Sequence, residues 1–217
     1  IGEKCPECKD GQLIEREGAM PIPPYLKHTP LSEAELRERY QTLFAKHAGS
    51  IAAPTASLHF TEGLLGALAG KGIDSVQVTL HVNLGTFAPL SEEAVAEGKL
   101  HSERYSVSEA TAAKIAAAKA AGRPVIAVGT TAARTLESAA SGIGTIEAKS
   151  GETRLFIREG YEFKIVDGLI TNFHVPKSSL LMLVAALVGR DKLFDLYKDA
   201  TAHEFRFLSF GDGMLIV

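Results

Sequence analysis

Residues Thr171 to Ser179 read TNFHVPKSS, which sets a histidine and a lysine three residues apart around a proline. The stretch follows YEFKIVDGLI and precedes the apolar run LLMLVAALV. Pro176 would fix the start of a helix and Ser178 could cap it, but capping leaves Asn172, His174 and Lys177 without a local role. Four further segments set His, Thr, Asn or Arg beside glycine or proline: AAPTASLHFTEG, VTLHVNLGTF, LHSERY and AVGTTAARTLES. One histidine after a strand is more often a satisfied structural residue than a catalyst. Five such segments in one chain favour a concave site at strand ends, and histidine suits proton transfer because it titrates near neutrality.

AVGTTAARTLES reads as a strand, a glycine, two threonines and a helix N-terminus whose free N–H groups favour anions. It matches neither G-x-x-x-x-G-K-[ST] nor G-x-G-x-x-G, so nucleoside triphosphate or dinucleotide binding is not indicated. Thr130 or Thr131 could cap the helix. Arg134 stands in the first turn, where a cation opposes the helix dipole. It therefore calls for a carboxylate, phosphate or ion-pair partner, and Glu137 is within reach as one. Cys5 and Cys8, the only cysteines, form the lone C-x-x-C of CPEC. That is half of a structural zinc site, to be completed by other residues or a second chain, or else a surface turn or redox pair.

The elements that must position these groups alternate. Ser32 and Glu35 have capping-box spacing ahead of a helix through SEAELRERYQTLFAKH, with Leu36, Tyr40, Leu43 and Phe44 as its apolar stripe. TEGLLGALAGKG is a short helix closed by glycine. IDSVQVTLHV alternates, with Val76, Val78, Leu80 and Val82 on one face and His81 on the other. ERYSVS is a strand, SEATAAKIAAAKAAG a helix from Ser108 to Gly122, and PVIAVG a strand feeding the helix TTAARTLESAAS. RLFI is expected as a strand, YEFKIVDGLITNF as a hairpin turning at Asp167-Gly168, then two helices within 178–201 and a final strand GMLIV. The expected fold is a mixed-sheet α/β domain.

The chain of 217 residues, with 46% apolar and 23% charged residues, is long enough for one large core. No apolar run approaches the roughly 18 residues that span a bilayer. A net charge of −3 argues against nonspecific coating of nucleic acid. Few thiols and no visible leader point to the cytoplasm. Ile1 in place of methionine suggests a chain that starts at an internal point. Residues 1–20 then read as the remnant or connector of an upstream unit, and 21–217 as the functional domain.

Seven segments, in order, resemble one family: IPPYLK, RYQTLFAKHAGSIAAPTASLHFT, VTLHVNLGTFAPL, LHSERY, GRPVIAVGTTAARTLES, GYEFKIVDGLITNFHVPKSSLLMLVAALVG and FRFLSFGDGMLI. They are similar to the S-adenosylmethionine:tRNA ribosyltransferase-isomerases of queuosine biosynthesis, from about Met20 to Ile216. Family members carry a longer N-terminal portion with an inserted β-barrel, largely absent from this chain. Ser57 and Asn83 stand where the family usually has glycine, and CPEC is outside its pattern.

The resemblance implies transfer and isomerisation of the ribosyl part of S-adenosylmethionine onto the 7-aminomethyl-7-deazaguanine base at a tRNA wobble position. Adenine and methionine leave, and the product is epoxyqueuosine. S-adenosylmethionine is then a consumed substrate, no cofactor is required, and the partner is tRNA; a monomer is expected. The chemistry needs a base near the sulfonium or aminomethyl group, an acid for departing adenine, and anchors for ribose and carboxylate. On that reading His59, His81, His101 and His174 are the proton-transfer candidates. Thr55, Thr61, Thr86, Glu103, Thr130, Thr131, Arg134, Glu137, Asn172, Lys177 and Ser178 would line the substrates. The threonines and Asn172 suit the ribose, and Arg134 and Lys177 suit a carboxylate or tRNA phosphate. Two rivals remain: a noncatalytic RNA-binding relative of the same fold, and a methyltransferase, which the lack of a glycine-rich loop followed by an acidic strand end disfavours.

Overall fold

The computed structural model describes residues 22, 26, 30–47, 49–50, 52–82 and 90–217. Cys5, Cys8, Asn83 and Thr86 lie outside these residues. The chain divides into two compact units, 1–41 and 42–217.

In the first unit, α1 (Glu33–Arg39) starts with the expected capping box: Ser32 Oγ accepts the Glu35 N–H at 3.3 Å, and Glu35 accepts the Ser32 N–H at 2.9 Å. The helix stops well short of the expected SEAELRERYQTLFAKH span. Past it, in the second unit, Thr42 Oγ1 accepts the Phe44 N–H at 3.3 Å, a local bond that competes with helical pairing. Phe44 packs edge-on against Phe60, with ring centroids 6.3 Å apart.

The second unit begins with a 3₁₀ turn, Thr55–His59, and α2 (Glu62–Gly70), capped by Thr61, whose Oγ1 accepts the Leu64 N–H at 3.1 Å. Next come β1 (Thr79–His81), α3 (Glu92–Glu97), β2 (Lys99–Val107) and α4 (Glu109–Ala120), capped by Ser108. After these follow β3 (Ile126–Val128), α5 (Thr130–Ala139), the short β4 (Ala140–Gly142) and β5 (Thr145–Ile146), and β6 (Lys149–Leu155). The chain closes with β7 (Gly168–Asn172), α6 (Ser179–Val188), α7 (Arg190–Ala202) and β8 (Gly213–Ile216).

The strands form two three-stranded sheets and a β4–β5 ribbon. One sheet is antiparallel, β1-β2-β6, with Leu80 opposite Tyr105 and Glu103 opposite Thr153. The other is mixed, β3-β7-β8, with Val128 opposite Ile170 in the parallel pair and Asn172 opposite Gly213 in the antiparallel one. Helix α5 packs on strands of both sheets. Around it lies the core, including Val107, Ile115, Ala127, Ala133, Leu136, Ile165, Leu169, Leu183 and Val184.

Two expectations are corrected. β6 begins upstream of RLFI and takes in only its first two residues, ending at Leu155. The hairpin at Asp167-Gly168 does not form: β7 pairs with β3 and β8, and residues 161–167 are not a strand. The cause is Glu137. Its carboxylate accepts the backbone N–H groups of Lys164, Ile165 and Val166 at 2.9, 3.0 and 2.9 Å and the Tyr161 hydroxyl at 3.0 Å. Three donors that a hairpin ladder would use are thus taken, and Asp167 accepts from Lys119 at 2.8 Å and from the Val125 N–H at 2.8 Å.

Glu137 is only 4% exposed, and each buried donor left without a partner costs about 1–3 kcal/mol. Glu137→Ala is therefore expected to lower the unfolding free energy by about 3 kcal/mol or more. Urea denaturation followed by circular dichroism measures this; a loss within about 0.5 kcal/mol, the range of ordinary surface changes, would show the anchor to be dispensable.

Candidate active site

The parallel pair β3/β7 ends at one edge, and four segments meet there. Leaving β3, the chain turns at Gly129, whose φ of 89° is available to glycine without strain. The Gly129 N–H donates to Ile170 O at 2.8 Å, and Thr130 opens α5 directly, with no side chain capping the helix. At the end of β7, Asn172 is 3% exposed. Thr55 Oγ1 donates to Asn172 Oδ1 at 3.1 Å, and Asn172 Nδ2 lies 3.1 Å from His59 Nε2. The start of β8 closes on the same imidazole. A Cβ placed on Gly213 would sit 3.0 Å from His59 Nε2 and 3.2 Å from Thr171 O, so any larger residue there would displace the ring.

One strand face away, Thr171 Oγ1 meets His174 Nε2 at 2.8 Å, and the His174 backbone N–H donates to the Tyr197 hydroxyl at 2.7 Å. Tyr197 is held in an aromatic cluster with Phe173 and Phe207. Burial pushes the His174 imidazole down to about 4, so it is neutral throughout the neutral range. Ser178 caps α6 as anticipated, accepting the Leu181 N–H at 3.2 Å. Lys177 is exposed and takes a left-handed φ of 59°.

The loop before β8 adds a carboxylate that the motif reading passed over. Asp212 accepts the Arg206 N–H at 2.7 Å and an Arg206 guanidinium N–H at 3.2 Å. Those bonds, with a smaller contribution from the charges of Arg206 and His59, hold its pKa below the ordinary carboxylate value. The FGDG sequence, two glycines around an aspartate ahead of an apolar strand, was the available signal.

The other candidates make different contacts. Arg134 and Glu103 form a buried ion pair across α5 and β2, and Arg134 Nε also donates to Leu155 O at 3.2 Å. Arg134 therefore pairs with Glu103, not with Glu137, which is occupied by the 164–166 backbone. Arg134 Nη2 is buried and finds no acceptor among the described residues. His81 lies opposite Arg104, on the sheet face away from Leu80 and Tyr105, and its buried Nδ1 has no partner among the described residues. His101 is exposed on β2. Among the described residues, then, Thr55, His59 and Asn172 are joined directly, and His174 is joined to the same strand through Thr171. Thr130 and Thr131 begin the adjoining helix. Among the described residues, Thr55, His59, Asn172 and His174 form no direct hydrogen bond to His81, His101 or Arg134. Ser57, where glycine was expected, sits in the 3₁₀ turn and is not among the residues with positive φ. Among the described residues no group of three or more His, Cys, Asp or Glu could hold a metal ion.

The fold is mixed α/β, with polar groups gathered at the end of its one parallel strand pair among the described residues. The chain belongs to the queuosine biosynthesis protein family, whose profile matches residues 6–216. It is 53% identical over 205 residues to an S-adenosylmethionine:tRNA ribosyltransferase-isomerase from Geobacter sulfurreducens, covering 94% of this chain and 59% of that protein. With the enzyme of the same name from Desulfitobacterium hafniense it is 53% identical over 206 residues, covering 95% of this chain and 59% of that one. A crystal structure of S-adenosylmethionine tRNA ribosyltransferase from Thermotoga maritima matches with a TM-score of 0.63 and 42% identity, over 75% of this chain and 52% of that one. The chain thus spans about 59% of the length of these curated relatives.

Two outcomes follow from the burial of these groups. An unfolded histidine titrates near 6.5, whereas folded His174 titrates near 4. Between those values the unfolded chain binds more protons, so stability falls as pH drops from about 6.5 towards 4 and levels off below. Melting temperature against pH should fall less steeply across that window in His174→Asn than in the parent. Removing one member of the buried Arg134–Glu103 pair should cost about 3–5 kcal/mol, so Arg134→Met should unfold at markedly lower urea; an unchanged midpoint would mean the pair is not buried as described.

Proposed function

We propose that the intact protein transfers and isomerises the ribosyl moiety of S-adenosylmethionine onto the 7-aminomethyl-7-deazaguanine base at the tRNA wobble position, giving epoxyqueuosine and releasing adenine and methionine. The observation that carries this reading is the 53% identity to enzymes of that name across nearly the whole of this chain. The catalytic part is assigned to residues 21–217, with every described site residue in 42–217. S-adenosylmethionine enters as a consumed substrate and tRNA as the second substrate, which places the reaction in the cytoplasm and requires no more than a monomer. Among the described residues no helix is long and apolar enough to cross a membrane.

Within this proposal the chemistry falls to the edge where β3, β7 and β8 meet. His174 is uncharged at neutral pH and so suits proton acceptance better than donation. The N-terminus of α5, uncapped by a side chain, faces its N–H groups to the same edge and suits a polar or anionic part of the substrate. Lys177, exposed beside it, suits a tRNA phosphate.

The test incubates the intact protein with S-adenosylmethionine and tRNA bearing the aminomethyl base, and follows products by chromatography. Adenine and methionine should appear only when that tRNA is present. Formation of S-adenosylhomocysteine would identify a methyltransferase, and tRNA binding without adenine release would identify the noncatalytic relative; either overturns the proposal.

A further inference from the structure

We propose that Asn172, itself oriented by Thr55, holds the neutral His59 imidazole with its proton on Nδ1, so that His59 meets a ligand as an N–H donor. This rests on the reading of the same site given above. It reassigns Thr55 and Asn172 from contacting a sugar to positioning His59.

The argument is one of hydrogen counting. Thr55 Oγ1, Asn172 and His59 Nε2 form a linear chain with both links at 3.1 Å. Two proton arrangements fit those distances. In the first, the threonine hydroxyl donates to Oδ1 and the amide N–H donates to the Nε2 lone pair. In the second, the amide is turned over: Nε2–H donates to Oδ1, and the amide N–H donates to the threonine oxygen. A hydroxyl carries one proton and must place it somewhere. In the first arrangement it goes to Asn172. In the second the Thr55 proton has no acceptor among the described residues and is left to solvent at a half-buried position, so a hydrogen bond within the protein is given up. The first arrangement satisfies every member of the chain. Which ring nitrogen of a histidine bears the proton is set by the bond made at the other, so Nε2 as acceptor requires Nδ1–H.

The remainder of the ring is placed to use that proton. Gly213 closes on the Nε2 side, since a Cβ there would lie 3.0 Å from Nε2. His59 is otherwise exposed, and no protein group among the described residues engages Nδ1. The lone-pair side is thus covered by the protein and the N–H side is open. An N–H donor suits an accepting atom of a substrate, such as a sugar oxygen or a ring nitrogen on which charge collects as it departs. Asn172 and Thr55 touch no such atom in this account; they are positioning residues acting through His59.

The test reads the tautomer itself and needs no turnover, so its failure is distinct from failure of the proposed reaction. The chain is labelled with ¹⁵N in histidine, and the ring nitrogens are observed by long-range proton–nitrogen correlation at about two pH units above the ordinary histidine value, where imidazoles are neutral. His59→Gln assigns the signal. The expected result is a protonated-type shift at Nδ1 and a bare-type shift at Nε2, the reverse of the preference of free histidine. Asn172→Asp, which supplies only acceptors, should reverse the pattern to Nε2–H. Thr55→Val should shift it part of the way and Thr55→Ser should restore it. An Nε2–H tautomer in the parent protein, or a pattern identical in Thr55→Val, overturns the proposal. Because the parent measurement and the half-buried Thr55 variants decide it, the test stands even if the buried Asn172 variant does not fold.

Discussion

The position of the whole site depends on where one buried carboxylate sends the chain. Glu137 gathers three successive backbone N–H groups, Lys164 to Val166, and thereby fixes the segment that leads into β7. Asp167 then ties that segment to Lys119 and to the start of β3, which sets Gly168 opposite Ile126 and carries the parallel register forward to Val128 and Ile170. Four residues beyond Gly168 stands Asn172. The residue that addresses His59 is therefore placed by a chain of hydrogen bonds that begins at the far end of its own strand.

Helix α5 has to supply that carboxylate while packing on both sheets, and it does so by carrying its charges on opposite neighbours. Arg134 reaches Glu103 on the antiparallel sheet, while Glu137 reaches the segment before β7. Breaking a buried pair by removing one partner is costly even where the pair itself contributes little net stability. The two contacts act less as a source of stability than as a specification of how α5 lies between the sheets. The N-terminus of α5 is thereby directed to the edge where β3 and β7 end, beside Thr55, His59 and Asn172. Arg134 and Glu137, buried within α5, are both committed to partners inside the protein, whereas Thr55, His59 and Asn172 meet at the strand ends.

The distinction explains what the sequence made legible. Caps were readable because a cap is local: Ser32, Ser108 and Ser178 each serve a helix that starts within one residue. The gathering of His59, Asn172 and His174 near one strand end was legible as a grouping of residue types beside glycine and proline. Glu137 was not legible, because its partners lie 24–29 residues away and a glutamate one turn beyond an arginine looks like a helix-surface pair. The same long-range bond turned the expected Asp167-Gly168 hairpin into a junction between unlike segments. For His81, alternation indicated the face of β1 opposite Leu80, where it lies across from Arg104, but a face of a strand does not by itself say which other side chains are met there. Asp212 was overlooked because a single carboxylate between glycines carries no periodic signal.

Backbone conformation marks the same region independently. Among the described residues four non-glycine residues have positive φ: Lys177 at 59°, Glu204 at 57°, Leu208 at 71° and Phe210 at 60°. All four lie in the two loops that adjoin the open end of the β7–β8 pair, one between β7 and α6 and the other between α7 and β8. Such conformations cost of the order of 1–3 kcal/mol each and persist where surrounding contacts over-determine them. Those contacts are present here. Leu208 donates its N–H to Phe173 O at 3.0 Å, Phe173 stacks with Phe205 and Phe207, and Asp212 holds both the backbone and the side chain of Arg206. The loop so held delivers Gly213 against His59, where a Cβ would lie 3.0 Å from Nε2 and the ring would have to give way. Strain in the two loops and close packing at the imidazole are thus one arrangement: the strained turns hold the strand ends near enough for Thr55, Asn172 and Gly213 to act on a single ring.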